Sequence, residues 1–188
     1  MAYFRYGVFG ALMTALLATC VWDPYSRPAL TTTQLERYLE KHAPPGTVMR
    51  VEPNQDSGAI PVMFLPTVYI LDEELRTLAR FQGYRPDFKP ILRQMIRYRM
   101  ANPIEQGTAL DTLVSRMANL RLVDRQNRRY RLRELIPAGG IVIVNYWAHW
   151  SAPCKKVNHD LKALAVEFSR SRVRFLSVNL DNIEDDSP

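Results

Sequence analysis

The residues whose types and spacing could do chemistry lie in "WSAPCK", Trp150 to Lys155. Thiol–disulfide exchange needs a thiolate, and a helix N-terminus lowers a cysteine's pKa enough to form one near neutral pH. A cysteine at position 151 would make this a dithiol loop, the first thiolate attacking a disulfide and the second resolving the mixed disulfide. Ser151 holds the attacking place and Cys154 the resolving one, and a hydroxyl cannot exchange with a disulfide. Ser151 suits instead the N-cap of a helix starting beside it, where its oxygen could accept an orphan backbone N–H. Cys154 on its own can pack as a small apolar residue, form a mixed disulfide or become glutathionylated. Packing is the expectation, because free cysteine is among the most buried residue types.

His42, His149 and His159 have no metal-ligand spacing with one another or with the cysteines, so neither zinc nor another cofactor is expected. His149, two residues before Ser151, is within reach of a hydrogen bond there, although packing within the loop is the expectation. The chain has two cysteines, Cys20 and Cys154. Their contexts are unrelated, and a disulfide between them, which requires Cα atoms within roughly 7 Å, is not expected.

With 188 residues and 47% hydrophobic composition the chain can bury a core and does not read as disordered. Its net charge of +6 comes from twenty arginines and five lysines against nineteen carboxylates. Arg121, Arg125, Arg128, Arg129, Arg131 and Arg133 crowd one segment around Tyr130. That basic hairpin offers a contact for RNA or anionic lipid, but no RNA-binding motif accompanies it. A solvated face is expected, and nucleic acid is not expected as a partner. Asp181, Glu184, Asp185 and Asp186 read as a solvated acidic tail.

The N-terminus, "MAYFRYGVFGALMTALLATCVW", is uncharged from Tyr6 to Trp22. A bilayer span needs about 20 apolar residues, whereas a secretory signal core needs about 7–15. Leu17-Ala18-Thr19-Cys20 resembles a bacterial lipoprotein box, which makes Cys20 a candidate for lipidation, with Thr19 a departure from the small residue usual there. Residues 1–21 therefore read either as a signal or anchor-like segment, or as a first β-strand over Leu12–Val21. The first reading places the protein outside the cytoplasm, membrane-anchored or periplasmic; the second leaves it cytoplasmic.

The elements that must position the site follow from periodicity. "TTTQLERYLEKH" has Leu35 and Leu39 at helical spacing, and "TVMRVE" reads as a strand. Val68–Leu71 predicts a buried strand, Asp72–Glu74 a turn and Leu78–Phe81 its antiparallel return. A helix bearing Ile91, Leu92, Met95 and Ile96 on one face follows. "LRLVDRQNRRYRL" predicts a hairpin. "IVIVNYW" is a β-branched run suited to the centre of a parallel sheet, and a helix with Val157, Leu161, Leu164 and Phe168 links it to "VRFLSVNLD".

The stretch "IVIVNYWAHWSAPCKKVNHDLKALAVEF" resembles the active-site half of the thioredoxin superfamily, particularly its membrane-anchored, extracytoplasmic thiol–disulfide oxidoreductases. Trp147, Ala148, Trp150, Pro153 and Cys154 match the pattern and Ser151 departs from it. "FLPTVYILDEELRTLARFQGYRPDFKPILRQMI" is similar to the superfamily's cis-proline turn, strand pair and last helix. The resemblance implies a cis peptide at Pro66, before Thr67, and a peptide-binding face formed with Trp150 and Pro153. It also places Asn145 where family members carry a buried proton-moving carboxylate, a role an amide cannot fill. "WDPYSR", from Trp22, aligns with the family's active-site loop if Asp23 and Ser26 replace both cysteines.

The expectation is an α/β, thioredoxin-like fold, as a degenerate tandem or a permuted single domain. The tandem has residues 22–103 as a domain without the dithiol, 104–117 as a linker, and 118–188 as a partial domain with Ser-x-x-Cys. In the permuted alternative residues 118–182 and 60–100 supply the two halves of one domain. The function expected is that of a non-catalytic scaffold or docking component in a membrane-associated assembly. Its partner would be a protein, which could also complete the truncated second copy. The alternative is a monothiol oxidoreductase or isomerase-like protein using Cys154.

Overall fold

The computed structural model describes residues 29–42, 44, 46–52, 62, 64–101, 117 and 119–184. In chain order the elements are β1 (Leu30–Thr31), α1 (Thr32–His42), β2 (Thr47–Val51), β3 (Thr67–Asp72), β4 (Thr77–Gln82) and α2 (Phe88–Ala101). Then come β5 (Arg121–Asp124), β6 (Arg129–Arg131), β7 (Ile141–Trp147), α3 (Ala152–Glu167), β8 (Val173–Asn179) and β9 (Ile183–Glu184). The expected first strand over Leu12–Val21 and the "WDPYSR" loop lie outside the described residues.

One seven-stranded sheet runs in the order β4-β3-β7-β8-β2-β5-β6. β7 is parallel to β8, and β8 to β2, whereas β3 lies antiparallel to both β4 and β7. The β-α-β of residues 141–179 and the β-β-α of residues 67–101 therefore join along the β3–β7 ladder. The two segments thus share one sheet. The chain is α/β with a thioredoxin-like fold.

Hydrophobicity on both strand faces explains why β7 is central, since all seven of its residues are buried. Val142, Val144 and Tyr146 face Leu35 and Leu39 of α1 and the 3-10 turn at Leu132–Leu135. Ile141 and Ile143 face Phe88, Leu92 and Ile96 of α2 and Val157, Leu161 and Leu164 of α3. The layers are thus α1 on one face and α2 with α3 on the other. Periodicity does not reveal the two-residue parallel pair β1–β9, with Leu30 opposite Ile183 and Thr31 opposite Glu184, which ties the start of α1 to the segment after β8. Among the described residues no helix is long and apolar enough to cross a membrane.

Candidate functional site

The loop after β7 turns tightly into α3. Ser151 N–H donates to the Ala148 carbonyl at 3.2 Å and Cys154 N–H to the Ser151 carbonyl at 3.0 Å. Ser151 takes the N-cap place with extended backbone, but its side chain makes no capping bond. That corrects the capping expectation of the sequence. Pro153 lies in the first turn, where its missing N–H costs nothing because that group would have no helical partner. Cys154 has 0% exposure. Burial pushes its thiol up, and this outweighs the opposing hydrogen bonds from Ser151 and the Ala148 backbone, with Asp181 raising it further. A thiolate is disfavoured where thiol exchange would need one.

Tyr38 reaches this loop from α1. Its ring stacks on Trp147 at 5.5 Å between centroids and meets the His149 ring edge-on at 6.2 Å. Its hydroxyl is buried and has no partner among the described residues. Burial, then the charges of Cys154 and Asp181, raise its pKa. Nothing in the sequence marks Tyr38 for this site, because the docking of α1 is a tertiary event.

Asp181 is not part of a solvated tail. Its side chain is 2% exposed and accepts from the His149 backbone N–H at 2.9 Å and from Asn179 Nδ2 at 2.6 Å. Its other oxygen lies 2.8 Å from His149 Nδ1. His149 is therefore held by a residue just beyond β8. A carboxylate just beyond a central strand is the signal that could have found it, since the ends of parallel strands are where sites form.

Behind Cys154, Asn145 of β7 donates through Nδ2 to Asn158 Oδ1 of α3 at 2.6 Å. Asn158 follows Cys154 by one helical turn, a spacing that places it on the same helix face. Asn145 thus supplies an amide pair in a buried place where the resemblance implies a carboxylate.

The Leu65–Pro66 peptide is cis. Thr67 pairs with Tyr146 across the antiparallel β3–β7 ladder, so Pro66 falls beside the end of β7 and the loop that carries Ser151. Gly83 N–H donates to the Pro66 carbonyl at 2.8 Å and Thr67 Oγ1 to the Phe64 carbonyl at 2.5 Å. Leu65, Trp147, Ala148 and Cys154 share one cluster, with Trp150 packed against it. Phe64 remains 43% exposed at its edge. The fold therefore gathers Pro66, Thr67, Trp150, Ser151 and Cys154, with Pro153 one residue away; Cys20 lies outside the described residues. Among the described residues no cluster of three or more metal-ligating side chains occurs.

Four of the six hairpin arginines have carboxylate partners. Arg121 and Arg129 pair with Glu52 at 2.9 and 3.1 Å, Arg128 with Asp124 at 2.7 Å, and Arg125 with Glu36.

Comparison with known proteins gives residues 114–187 as a match to the AhpC/TSA family. The thioredoxin of Mycoplasma genitalium is 38% identical over 55 residues, covering 29% of this chain and 52% of that protein. Both matches fall on thioredoxin-like proteins, in keeping with the thioredoxin-like fold. A second thioredoxin, from Pseudomonas aeruginosa, is 30% identical over 56 residues, 30% of this chain and 51% of that protein. The chain thus spans about half the length of the curated relatives it matches. No solved structure matches it.

Proposed function

We propose that this thioredoxin-like protein is a non-catalytic docking component that holds an extended segment of a partner polypeptide on the Phe64–Pro66–Trp150 face. The observation that carries the reading is Cys154: wholly buried beside Tyr38, with its thiol pushed up, and preceded by a serine at the attacking position. Asn145 removes the usual proton acceptor as well. The peptide-face reading is supported by the partial exposure of Phe64 and Trp150 beside the Pro66 turn. Attachment to a membrane-associated assembly outside the cytoplasm rests on the uncharged stretch from Tyr6 to Trp22.

The competing reading is a monothiol oxidoreductase using Cys154, favoured by the Ser151 hydroxyl, whose hydrogen bond stabilises a thiolate. Insulin reduction with dithiothreitol separates the two. The full chain is expected to add nothing to the rate of dithiothreitol alone, and turnover lost in Cys154→Ala overturns the docking reading. In parallel, reduced and alkylated insulin B chain serves as the extended-peptide probe. Its binding is expected to weaken about tenfold in Phe64→Ala or Trp150→Ala, as for a peripheral aromatic anchor.

A further inference from the structure

Helices α2 and α3 lie side by side on one face of the sheet, joined by Glu167, whose carboxylate takes Arg93 Nε at 2.8 Å and Arg97 at 2.7 Å. α2 carries four cations and no carboxylate; α3 carries three lysines with Asp160 and Glu167. The pair thus holds +4 and +1, together +5, in a chain whose total is +6. Lys89, Arg99, Lys155, Lys156 and Lys162 have no carboxylate within ion-pair distance among the described residues. In the arginine hairpin, by contrast, Arg121, Arg125, Arg128 and Arg129 each have a carboxylate partner.

The arrangement on α3 is periodic. Lys155, His159, Lys162 and Val166 recur at four, three and four residues, so they form one exposed stripe opposite buried Val157, Leu161 and Leu164. Val166 is 72% exposed at the end of that stripe, and Tyr98 of α2 is 60% exposed.

We propose that the α2–α3 face lies on an anionic lipid surface, its lysines against headgroup phosphates and Val166 and Tyr98 at the polar–apolar boundary. Apolar tips among unpaired cations are the pattern of interfacial membrane contact. A single-stranded nucleic-acid partner would use free aromatic faces for base stacking. The Tyr98 and Tyr84 rings on this side already lie under cations, Arg99 at 5.7 Å and Lys156 at 5.2 Å from the ring centres. This surface is separate from the peptide face, so either can stand without the other.

The test is co-sedimentation of the full-length protein with phosphatidylcholine vesicles, and with vesicles in which about a third of the lipid is phosphatidylglycerol. A binding preference for the anionic vesicles of tenfold or more is expected. It should be lost in high salt and in the variant Lys155→Glu/Lys156→Glu/Lys162→Glu, and Val166→Ser should weaken it at unchanged net charge. These side chains are exposed, and a urea melt confirms that the variants fold. Attachment through the N-terminal apolar stretch alone would give equal binding to both vesicle types and no response to the lysine changes, which overturns the proposal. Displacement of the chain from anionic vesicles by polyglutamate or single-stranded RNA at matched charge would overturn it too, assigning the face to an acidic macromolecule.

Discussion

Asn145 and Asn158 meet side chain to side chain across the β7–α3 interface at 2.6 Å. The second polar atom of each, Asn145 Oδ1 and Asn158 Nδ2, is buried with no partner among the described residues. The pair therefore locks α3 to the central strand with one hydrogen bond while leaving one acceptor and one donor unmet. Such a bond contributes modestly in net terms, but breaking it from one side strands a further polar group.

Asn145→Leu should accordingly destabilise the fold by about 2 kcal/mol, because Asn158 Oδ1 loses its donor inside the protein. Adding Asn158→Leu should cost less than the sum of the two single changes, since the stranded amide goes with it. Urea unfolding of the wild type, both single variants and the double variant measures this; strict additivity would remove the pair from the account.

Cys154 should be nearly inert in the folded state. In a Cys20→Ser background, a thiol reagent is expected to modify it roughly 100-fold more slowly in buffer than in urea, because both burial and a scarce thiolate oppose reaction. Equal rates would contradict the burial described above.

Alkaline pH should weaken the fold. The Cys154 thiol is raised in the folded state, as is the wholly buried Tyr146 hydroxyl, in both cases chiefly by burial. An acid raised on folding keeps its proton while the unfolded chain releases its own, so the unfolded state binds fewer protons and stability falls with rising pH. The loss should begin above about pH 8.5, where an unfolded cysteine ionises, and steepen above about pH 10 with tyrosine. Thermal melts across this range test the direction, and Cys154→Ala should remove the first part of the slope.

Two changes at Tyr38 should act oppositely. Tyr38→Phe deletes a buried hydroxyl that has no partner among the described residues and should leave stability unchanged or raise it by up to about 1 kcal/mol. Tyr38→Ala removes the ring stacked on Trp147 and should speed Cys154 modification. An unchanged modification rate would show that α1 does not shield the thiol.

Gly46 and Gly83 offer a matched comparison of backbone and space. Both have positive φ, +73° and +71°, but a Cβ on Gly46 would meet the Phe175 carbonyl oxygen at 2.0 Å, while Gly83 has nothing within 4 Å. Gly83→Ala should cost roughly 1 kcal/mol, the price of a left-handed alanine. Gly46→Ala should cost about 3 kcal/mol or more, since β8 must also shift. Similar losses at the two positions would argue against close contact between Gly46 and β8.

Local chemistry alone determined much of this protein. The alternation and β-branching of "IVIVNYW", the helical spacing of Leu35 with Leu39, and the run Val157, Leu161, Leu164 each specify an element whose type depends on near neighbours. Serine at 151 and an amide at 145 are likewise visible without coordinates, and the resemblance implies a thiol and a carboxylate at those places. What the sequence left open was which strands are neighbours. Residues 67–101 could build their own sheet or join that of residues 141–179, since either arrangement buries the same apolar faces, and only the β3–β7 ladder decided it. The docking of Tyr38 beside Cys154, the capture of His149 by Asp181 and the pairing of Arg121, Arg125 and Arg129 with Glu52 and Glu36 were decided by tertiary structure for the same reason. Each joins residues far apart in the chain, and pairing between distant side chains depends on how layers pack, which no local pattern encodes.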